Sequence, residues 1–226
     1  MKLTTKRETK GFAPSLSTLG PGAIAGALKT QERLWMAILL LTQAKKGLII
    51  SEFAKISGLS FGFISKFSNI LRQANFLAQG RGLKLLEPGR LLDIVRDLYF
   101  FEGNRTISFY TQDGIDTIIS KLAIAKKPYA LTRMCGAAQI APFVRYQLVD
   151  FYIPDETNLS YWKKHLGLVN VELTGNINLV VPQNPRILNL VQTIKNLKIV
   201  NNVQLYLDLY KYPARGREQA EFLREK

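Results

Sequence analysis

The sequence contains a single cysteine and a single histidine among its 226 residues, and this scarcity excludes several kinds of site. Cys135 has no partner for an internal disulfide, which fits a protein of the reducing cytoplasm. A zinc centre of the usual kind needs more cysteines and histidines than the chain has. A histidine-based triad would have to use His165, which has no neighbour in sequence to orient its ring. We therefore interpret His165 as a surface or helix-end residue.

Long apolar runs and nucleotide-binding motifs are missing as well. The longest unbroken apolar run, Leu34–Leu41, is far too short to span a bilayer. The N-terminal segment does not read as a signal peptide, because Pro14, Pro21 and several glycines interrupt its apolar stretch. Neither a P-loop nor a GxGxxG after a strand is present. We expect a cytoplasmic protein that is not an enzyme and that has no cofactor and no membrane partner.

Acidic residues are scarce relative to basic ones, and the imbalance is uneven along the chain. The formal net charge is +14 at pH 7. Residues 1–100 carry 15 Lys and Arg against 6 Asp and Glu, whereas residues 101–226 carry 16 against 11. An excess of this size indicates a polyanionic partner, either nucleic acid or an anionic membrane face. The basic excess is concentrated in the N-terminal half.

The composition and the order of patterns predict an α+β fold with two domains. An apolar content of 47% with 10% aromatic residues is sufficient for buried cores. Residues 1–27 read as a flexible basic arm, and residues 28–101 as a winged helix-turn-helix domain. Residues 102–226 read as a mixed α/β domain, because strands and helices alternate there. Glu102–Asn104 is the predicted joint between the two domains.

The order of elements within residues 28–101 carries the winged-helix prediction. A buried helix over Thr30–Lys46 is followed by a short helix, a turn, a second helix and a hairpin around Gly80–Gly82. Gly58 permits the sharp turn between the two helices, and Ala54 is the small residue where they cross. The second helix has one apolar face with helical spacing, formed by Ile64, Phe67 and Leu71.

The other face of that second helix and the hairpin supply the predicted DNA contacts. Small hydroxyls, an amide and a lysine suit phosphate oxygens and base edges in a major groove. The predicted DNA-binding residues are Ser60, Phe61, Gly62, Ser65, Lys66, Asn69, Arg72, Gln79, Arg81 and Lys84. Ser65, Lys66 and Asn69 would do most of the reading of base edges. Arg72, Arg81 and Lys84 would hold phosphates.

Two alternatives from other classes remain open. The first is a metal-dependent nuclease built on carboxylates of the C-terminal half, which are Asp150, Asp155, Glu156 and Glu172. The lysine that usually follows a strand-borne acid in such sites is missing, since Leu173 and Thr174 come after Glu172. The second is a winged-helix adaptor that binds another protein. Nicking of plasmid DNA with Mg²⁺ that is lost on Asp150→Ala would favour the nuclease, and absence of DNA affinity at low salt would favour the adaptor.

The C-terminal segment Val203–Lys226 resembles the closing motif of a known family. It contains Gln-Leu-Tyr-Leu-Asp-Leu from Gln204, then Pro213, then Arg-Gly-x-Glu-x-Ala from Arg215. This pattern is similar to the end of the AbiEi-type antitoxins of type IV toxin–antitoxin systems, whose members open with a winged helix-turn-helix. Leu131–Val144 is similar to their Thr-Gly-x-x-Ala-Ala segment, but Arg-Met-Cys stands where a tighter glycine-containing pattern is common.

The resemblance implies a bacterial transcriptional regulator that represses its own operon. Its winged helix would bind double-stranded DNA at repeats upstream of the operon. It also implies that the chain counteracts a cognate toxin, directly or indirectly, and in this family that toxin is a nucleotidyltransferase. The motif assigns no antitoxic role to any single residue.

Overall fold

The computed structural model describes residues 21–44, 47–171 and 175–226. The helices are α1 (Pro21–Ala27), α2 (Gln31–Thr42), α3 (Ile50–Ser57), α4 (Phe61–Gln73), α5 (Pro88–Leu98), α6 (Ile115–Ala123), α7 (Arg133–Ala138), α8 (Leu159–Leu166), α9 (Asn202–Tyr210) and α10 (Gly216–Arg224). The strands are β1 (Arg105–Tyr110), β2 (Ala130–Leu131), β3 (Val149–Tyr152), β4 (Val169–Asn170), β5 (Ile177–Val181), β6 (Gln192–Ile194) and β7 (Leu197–Ile199). These elements make a mixed α+β fold, as the sequence predicts. None of the helices in the described ranges is long and apolar enough to cross a membrane.

Helix α1 corrects the predicted extent of the N-terminal arm. Residues 1–20 lie outside the described part of the chain, but Pro21–Ala27 is helical and packs against α5. Ile24 is buried in the core, and the Arg33 guanidinium donates to the Ala27 carbonyl at 3.0 Å. The sequence analysis took Pro21 as an interruption of the apolar stretch. Proline is favourable in the first turn of a helix, where its missing N–H has no partner to lose.

Helices α3 and α4 form the predicted two-helix unit. Gly58 ends α3 with φ +65°, a left-handed conformation that glycine adopts without a Cβ penalty. The Ser60 hydroxyl accepts a hydrogen bond from the Phe63 N–H at 3.3 Å and so caps α4. The apolar face predicted for this helix is confirmed, since its three members are buried, and they are Ile64, Phe67 and Leu71.

The predicted hairpin follows α4. The Ala78 N–H donates to the Lys84 carbonyl at 2.9 Å, and the Leu86 N–H donates to the Phe76 carbonyl at the same distance. Its turn contains Gly80 with φ +112°, which favours glycine. A third extended segment joins it, because the Leu83 N–H donates to the carbonyl of Leu48, between α2 and α3. The hairpin is therefore anchored to the start of α3 as well as to the end of α4.

The C-terminal half contains a sheet with the strand order β4-β1-β5-β3-β2-β7-β6 in the described residues. β5 runs parallel to β3, and β2 parallel to β7, while the other neighbouring pairs are antiparallel. Consecutive residues of a strand point to opposite faces. Phe151 contacts the Trp162 ring of α8, whereas Tyr152 bonds to Asp208 of α9. Helices therefore cover both faces of the sheet.

The β6–β7 hairpin is an element that the sequence analysis missed. Its turn residues, Lys195 and Asn196, both have positive φ, which is the conformation of a tight two-residue hairpin turn. The usual glycine is missing from this turn, so the segment carries little hairpin signal. The hairpin forms the edge of the sheet next to β2.

The last two helices give a physical reason for the glycine of the C-terminal motif. A Cβ atom at position 216 would lie 2.4 Å from the Leu209 carbonyl oxygen and 2.7 Å from the Tyr212 Cβ. Only glycine fits this approach between the end of α9 and the start of α10. The motif therefore encodes a close helix–helix joint.

A buried carboxylate connects the helical half to the sheet. Asp208 in α9 accepts hydrogen bonds from the Tyr99 hydroxyl at 2.5 Å and the Tyr152 hydroxyl at 3.1 Å. The Thr132 hydroxyl and the Gln204 amide also donate to it, the latter at 2.8 Å. Tyr99 ends α5, so the bond crosses the predicted domain boundary, and the buried apolar residues form one continuous core across it. The division into two domains stays a prediction.

Burial raises the pKa of Asp208 to about 6, even though four donors favour its charged form. The folded protein therefore binds this proton more tightly than the unfolded chain. The contribution of protonated Asp208 to the free energy of unfolding is fully present below its ordinary pKa of 3.8. This contribution is lost as the pH rises through about 6.

We predict that the free energy of unfolding of the wild type falls relative to that of Asp208→Asn as the pH rises from about 4 to 7. The difference should reach roughly 3 kcal/mol, from a shift of about two pKa units at 1.36 kcal/mol each. Urea unfolding of both proteins across this range measures it. Parallel stability profiles for the two proteins would contradict the raised pKa.

Candidate nucleic-acid interface

The segment that runs from Glu52 in α3 to Glu87 after the hairpin is rich in positive charge. Between Glu52 and Glu87 the chain carries five basic residues and no acidic residue. Eight of the ten predicted DNA-binding residues are exposed, and they are Ser60, Phe61, Gly62, Lys66, Asn69, Gln79, Arg81 and Lys84. We call these eight residues the basic surface. Its members come from the N-terminal part of α4 and from the hairpin.

The start of α4 is open to a ligand. Phe61 is 59% exposed, and a Cβ at Gly62 would have nothing within 4 Å. The first turn contains no acidic residue, so its free N–H groups and the positive end of the helix dipole are not neutralised there. A phosphate group is the natural ligand of such a helix end when basic side chains lie beside it.

Three residues of α4 were predicted to read base edges, and the structure places them differently. Lys66 and Asn69 are exposed, whereas Ser65 is half-buried. The Asn69 side-chain oxygen accepts a hydrogen bond from Arg72 at 3.2 Å, which leaves its amide N–H groups free to donate. Phe63 packs on Phe67 at 6.4 Å between ring centroids, so it belongs to the core side of the helix.

Arg72 has a different environment from the one predicted for a phosphate contact. Its half-buried guanidinium donates to the carbonyls of Ala78 at 3.3 Å and Gly82 at 3.2 Å, in addition to Asn69. These bonds tie α4 to both sides of the hairpin. The geometry makes Arg72 a residue that positions the hairpin, with most of its donors already used.

The hairpin tip presents the remaining charge. Gln79, Arg81 and Lys84 are all exposed around the Gly80 turn. Within the described part of the chain, no ion pair involves Lys66, Arg81 or Lys84. Cations without internal partners attract polyanions more strongly than paired ones, because no carboxylate competes for them.

One further basic residue of this region was not among the predicted contacts. Lys55 in α3 is exposed and lies in the same acid-free segment. The sequence signal that could have found it is the long interval without Asp or Glu. This interval extends over α3, α4 and the hairpin, so it is not visible in the sequence of α4 alone.

The carboxylates of the nuclease alternative do not share one site among the residues described. Asp150 is fully buried in β3, where it accepts from Asn178 at 2.9 Å and faces Arg133 at 3.5 Å. Burial raises the pKa of Asp150. Asp155 caps the backbone of Thr157, and Glu156 pairs with Arg105 at 2.5 Å.

Glu172, the fourth carboxylate of that alternative, lies outside the described residues. In the described ranges, no three His, Cys, Asp or Glu side chains come close enough to hold a metal ion. The Asp150 site as described is a buried ion pair and contains no second acid. The contact between Asp150 and Arg133 has the character of an ion pair that stabilises the fold.

The single histidine and the single cysteine lie in packed positions. His165 is in the last turn of α8, where its Nε2 lies 2.8 Å from the Lys121 carbonyl and its ring stacks on Tyr161. Cys135 is fully buried, and burial raises the pKa of its thiol. Neither residue lies in the basic surface.

Three comparisons with known proteins were made for this chain. The family models, the curated proteins and the solved structures each contained no match to it. Its functional interpretation therefore depends on the geometry of the basic surface and on the resemblance of the C-terminal motif.

Proposed function

We propose that this chain is a sequence-specific DNA-binding transcriptional regulator. In this proposal residues 28–101 form a winged helix-turn-helix, with α4 as the recognition helix and the Phe76–Leu86 hairpin as the wing. The observation that carries the proposal is the basic surface, which combines an acid-free helix start, exposed Lys66 and a hairpin tip with Arg81. A duplex is the polyanion whose grooves accept a helix and a hairpin side by side.

Each part of the basic surface has a separate task in this mechanism. The N-terminal part of α4 enters the major groove, where Lys66 and the free amide of Asn69 meet base edges and Phe61 meets thymine methyl groups. Arg81 and Lys84 on the hairpin neutralise phosphates beside the groove. Arg72 holds the hairpin against α4 and so fixes the distance between the two contacts.

The wider biological role in the proposal comes from the C-terminal motif. A regulator with the AbiEi-type ending would repress its own operon in the cytoplasm and counteract a nucleotidyltransferase toxin. The segment around Gly216 has a close helix joint that explains one motif position. The proposal places the antitoxic role in the C-terminal half, outside the basic surface, and assigns it to no single residue.

Changing the charge of Lys66 and Arg81 should remove DNA binding. We predict that Lys66→Glu with Arg81→Glu lowers the affinity of the protein for the duplex upstream of its own reading frame by more than about tenfold, since one cation that faces base edges and one that faces a phosphate both become anions. Fluorescence anisotropy with a labelled duplex, chosen by footprinting, measures the change. The parent should also lose affinity steeply with salt, at about 0.9 in log–log slope per neutralised phosphate.

A double variant with the same charge change elsewhere is the matched control. Lys126→Glu with Lys164→Glu alters two exposed lysines of the C-terminal half and should leave affinity close to that of the parent. Equal losses in both double variants would mean that net charge alone drives binding. If the parent itself fails to bind the duplex at low salt, the adaptor alternative replaces the DNA-binding proposal.

Arg72 should affect the hairpin and not the number of phosphate contacts. We predict that Arg72→Lys weakens DNA binding while leaving the log–log salt slope within about 0.3 of the parent, because the positive charge stays and three positioning bonds are lost. Cleavage by a protease at the exposed tip should become faster in this variant. A slope reduced by about 0.9, without faster cleavage, would identify Arg72 as a phosphate contact.

The antitoxic role is tested in cells. We predict that the chain restores growth when it is expressed together with a nucleotidyltransferase encoded beside it, and that the Lys66→Glu, Arg81→Glu variant does so equally well. The reason is that toxin neutralisation in this proposal does not use the basic surface. Failure of both proteins to restore growth would remove the antitoxin part and leave DNA binding intact.

A further inference from the structure

A cavity of about 220 Å³ lies where the helical half meets the sheet. Its walls come from α2, from the end of α5 and from the residues after β5. The volume corresponds to roughly seven water molecules, since each occupies about 30 Å³ in the liquid. None of its lining residues belongs to the basic surface, so any ligand here would bind independently of DNA.

Aromatic side chains line the cavity from its floor to its rim. Trp35 is 2% exposed and forms part of the floor, whereas Phe100 is 64% exposed and stands at the rim. Tyr99 adds a third aromatic ring to the lining, and Leu34 and Leu98 add aliphatic walls. Walls of this kind favour a planar ring compound over a flexible chain.

Carboxamides make up most of the polar lining. Five such side chains contribute, and they are Gln31, Asn104, Gln183, Asn184 and Gln204. Each carboxamide can donate and accept, as the edges of nucleobases do. Among the described residues, Lys29 is the sole charged side chain that lines the cavity, and no carboxylate does. This lining disfavours a cation and suits a neutral ring that has both donors and acceptors.

Gln204 leaves one acceptor without a partner beside this cavity. The residue is 1% exposed, and its Nε2 donates to the Tyr99 hydroxyl at 2.9 Å and to Asp208 at 2.8 Å. Both of its N–H groups are therefore used. Its Oε1 is buried and accepts no hydrogen bond from the described chain. The two donor bonds hold the Gln204 carboxamide in one orientation in the wall of the cavity.

We infer that the cavity binds a purine nucleoside. The base would lie against the aromatic walls, and its donors and acceptors and the ribose hydroxyls would face the amides that line the cavity. An aromatic acid fits less well, because the lining offers one lysine and no arginine for its carboxylate. The inference goes beyond DNA binding and does not depend on it.

Calorimetric titration of the 226-residue chain with adenosine and with guanosine tests the inference without DNA. We predict a Kd of roughly 10 to 100 μM for at least one of them, the range expected for a ligand of this size. The fluorescence of Trp35, one of two tryptophans in the chain, should change with the same midpoint. Benzoate is the comparison ligand, and tighter binding of benzoate than of either nucleoside would overturn the inference.

Two variants of α2 decide whether binding occurs in this cavity. Leu34→Phe fills the cavity and should weaken binding by about tenfold, whereas Leu41→Phe makes the same change on the same helix away from the cavity and should not. Gln31→Ala removes an exposed rim amide and gives a second test if Leu34→Phe unfolds. Equal affinity in the parent, Leu34→Phe and Gln31→Ala, or no binding up to about 1 mM, would refute the site.

Discussion

The buried carboxylate of Asp208 is the constraint on which the arrangement of the two halves depends. Its four donors come from the end of α5, the turn before α7, strand β3 and the preceding turn of α9. A buried charge is tolerated only where hydrogen bonds replace its hydration, so each donor must stay in place. Apolar contacts tolerate small shifts of α9, whereas the directional hydrogen bonds of this network tolerate them poorly. The helices that carry the basic surface are thereby held to the sheet through a polar bond of defined geometry.

Within the helical half, the separation of roles between residues follows from burial. Arg72 lies partly beneath the hairpin and donates hydrogen bonds to its backbone carbonyls. Arg81 and Lys84 lie at the hairpin tip and form no ion pair within the described chain. Sequence alone treats these three cations as equivalent. The structure distinguishes a cation that sets the position of a loop from cations that remain free for a ligand. One arginine therefore holds the hairpin that carries the other two charges.

The sequence predicts most of the helices and strands but not the contacts between residues that are far apart along the chain. The helical spacing of Ile64, Phe67 and Leu71 was sufficient to place the buried face of α4, since a local period determines it. Helix α1 was missed because Pro21 and the glycines interrupt the apolar pattern of its segment, and the β6–β7 hairpin was missed because its turn has no glycine. The partners of Arg72 and Asp208 lie up to 10 and 109 residues away. No local pattern encodes such contacts, so the candidate surface could be predicted from sequence while its support could not.

The long separation along the sequence between contacting residues also explains why the cavity at the junction has no sequence signature. Its lining combines α2, the end of α5 and the loop after β5, which are far apart in sequence and meet only in the folded chain. Gln204 belongs to both features, because it donates to Asp208 while its own oxygen stays without a partner next to the cavity. Protonation of Asp208 would change the acceptor that holds the Gln204 amide. The charge state of the buried carboxylate and the polarity of the cavity floor are therefore physically coupled through a single side chain.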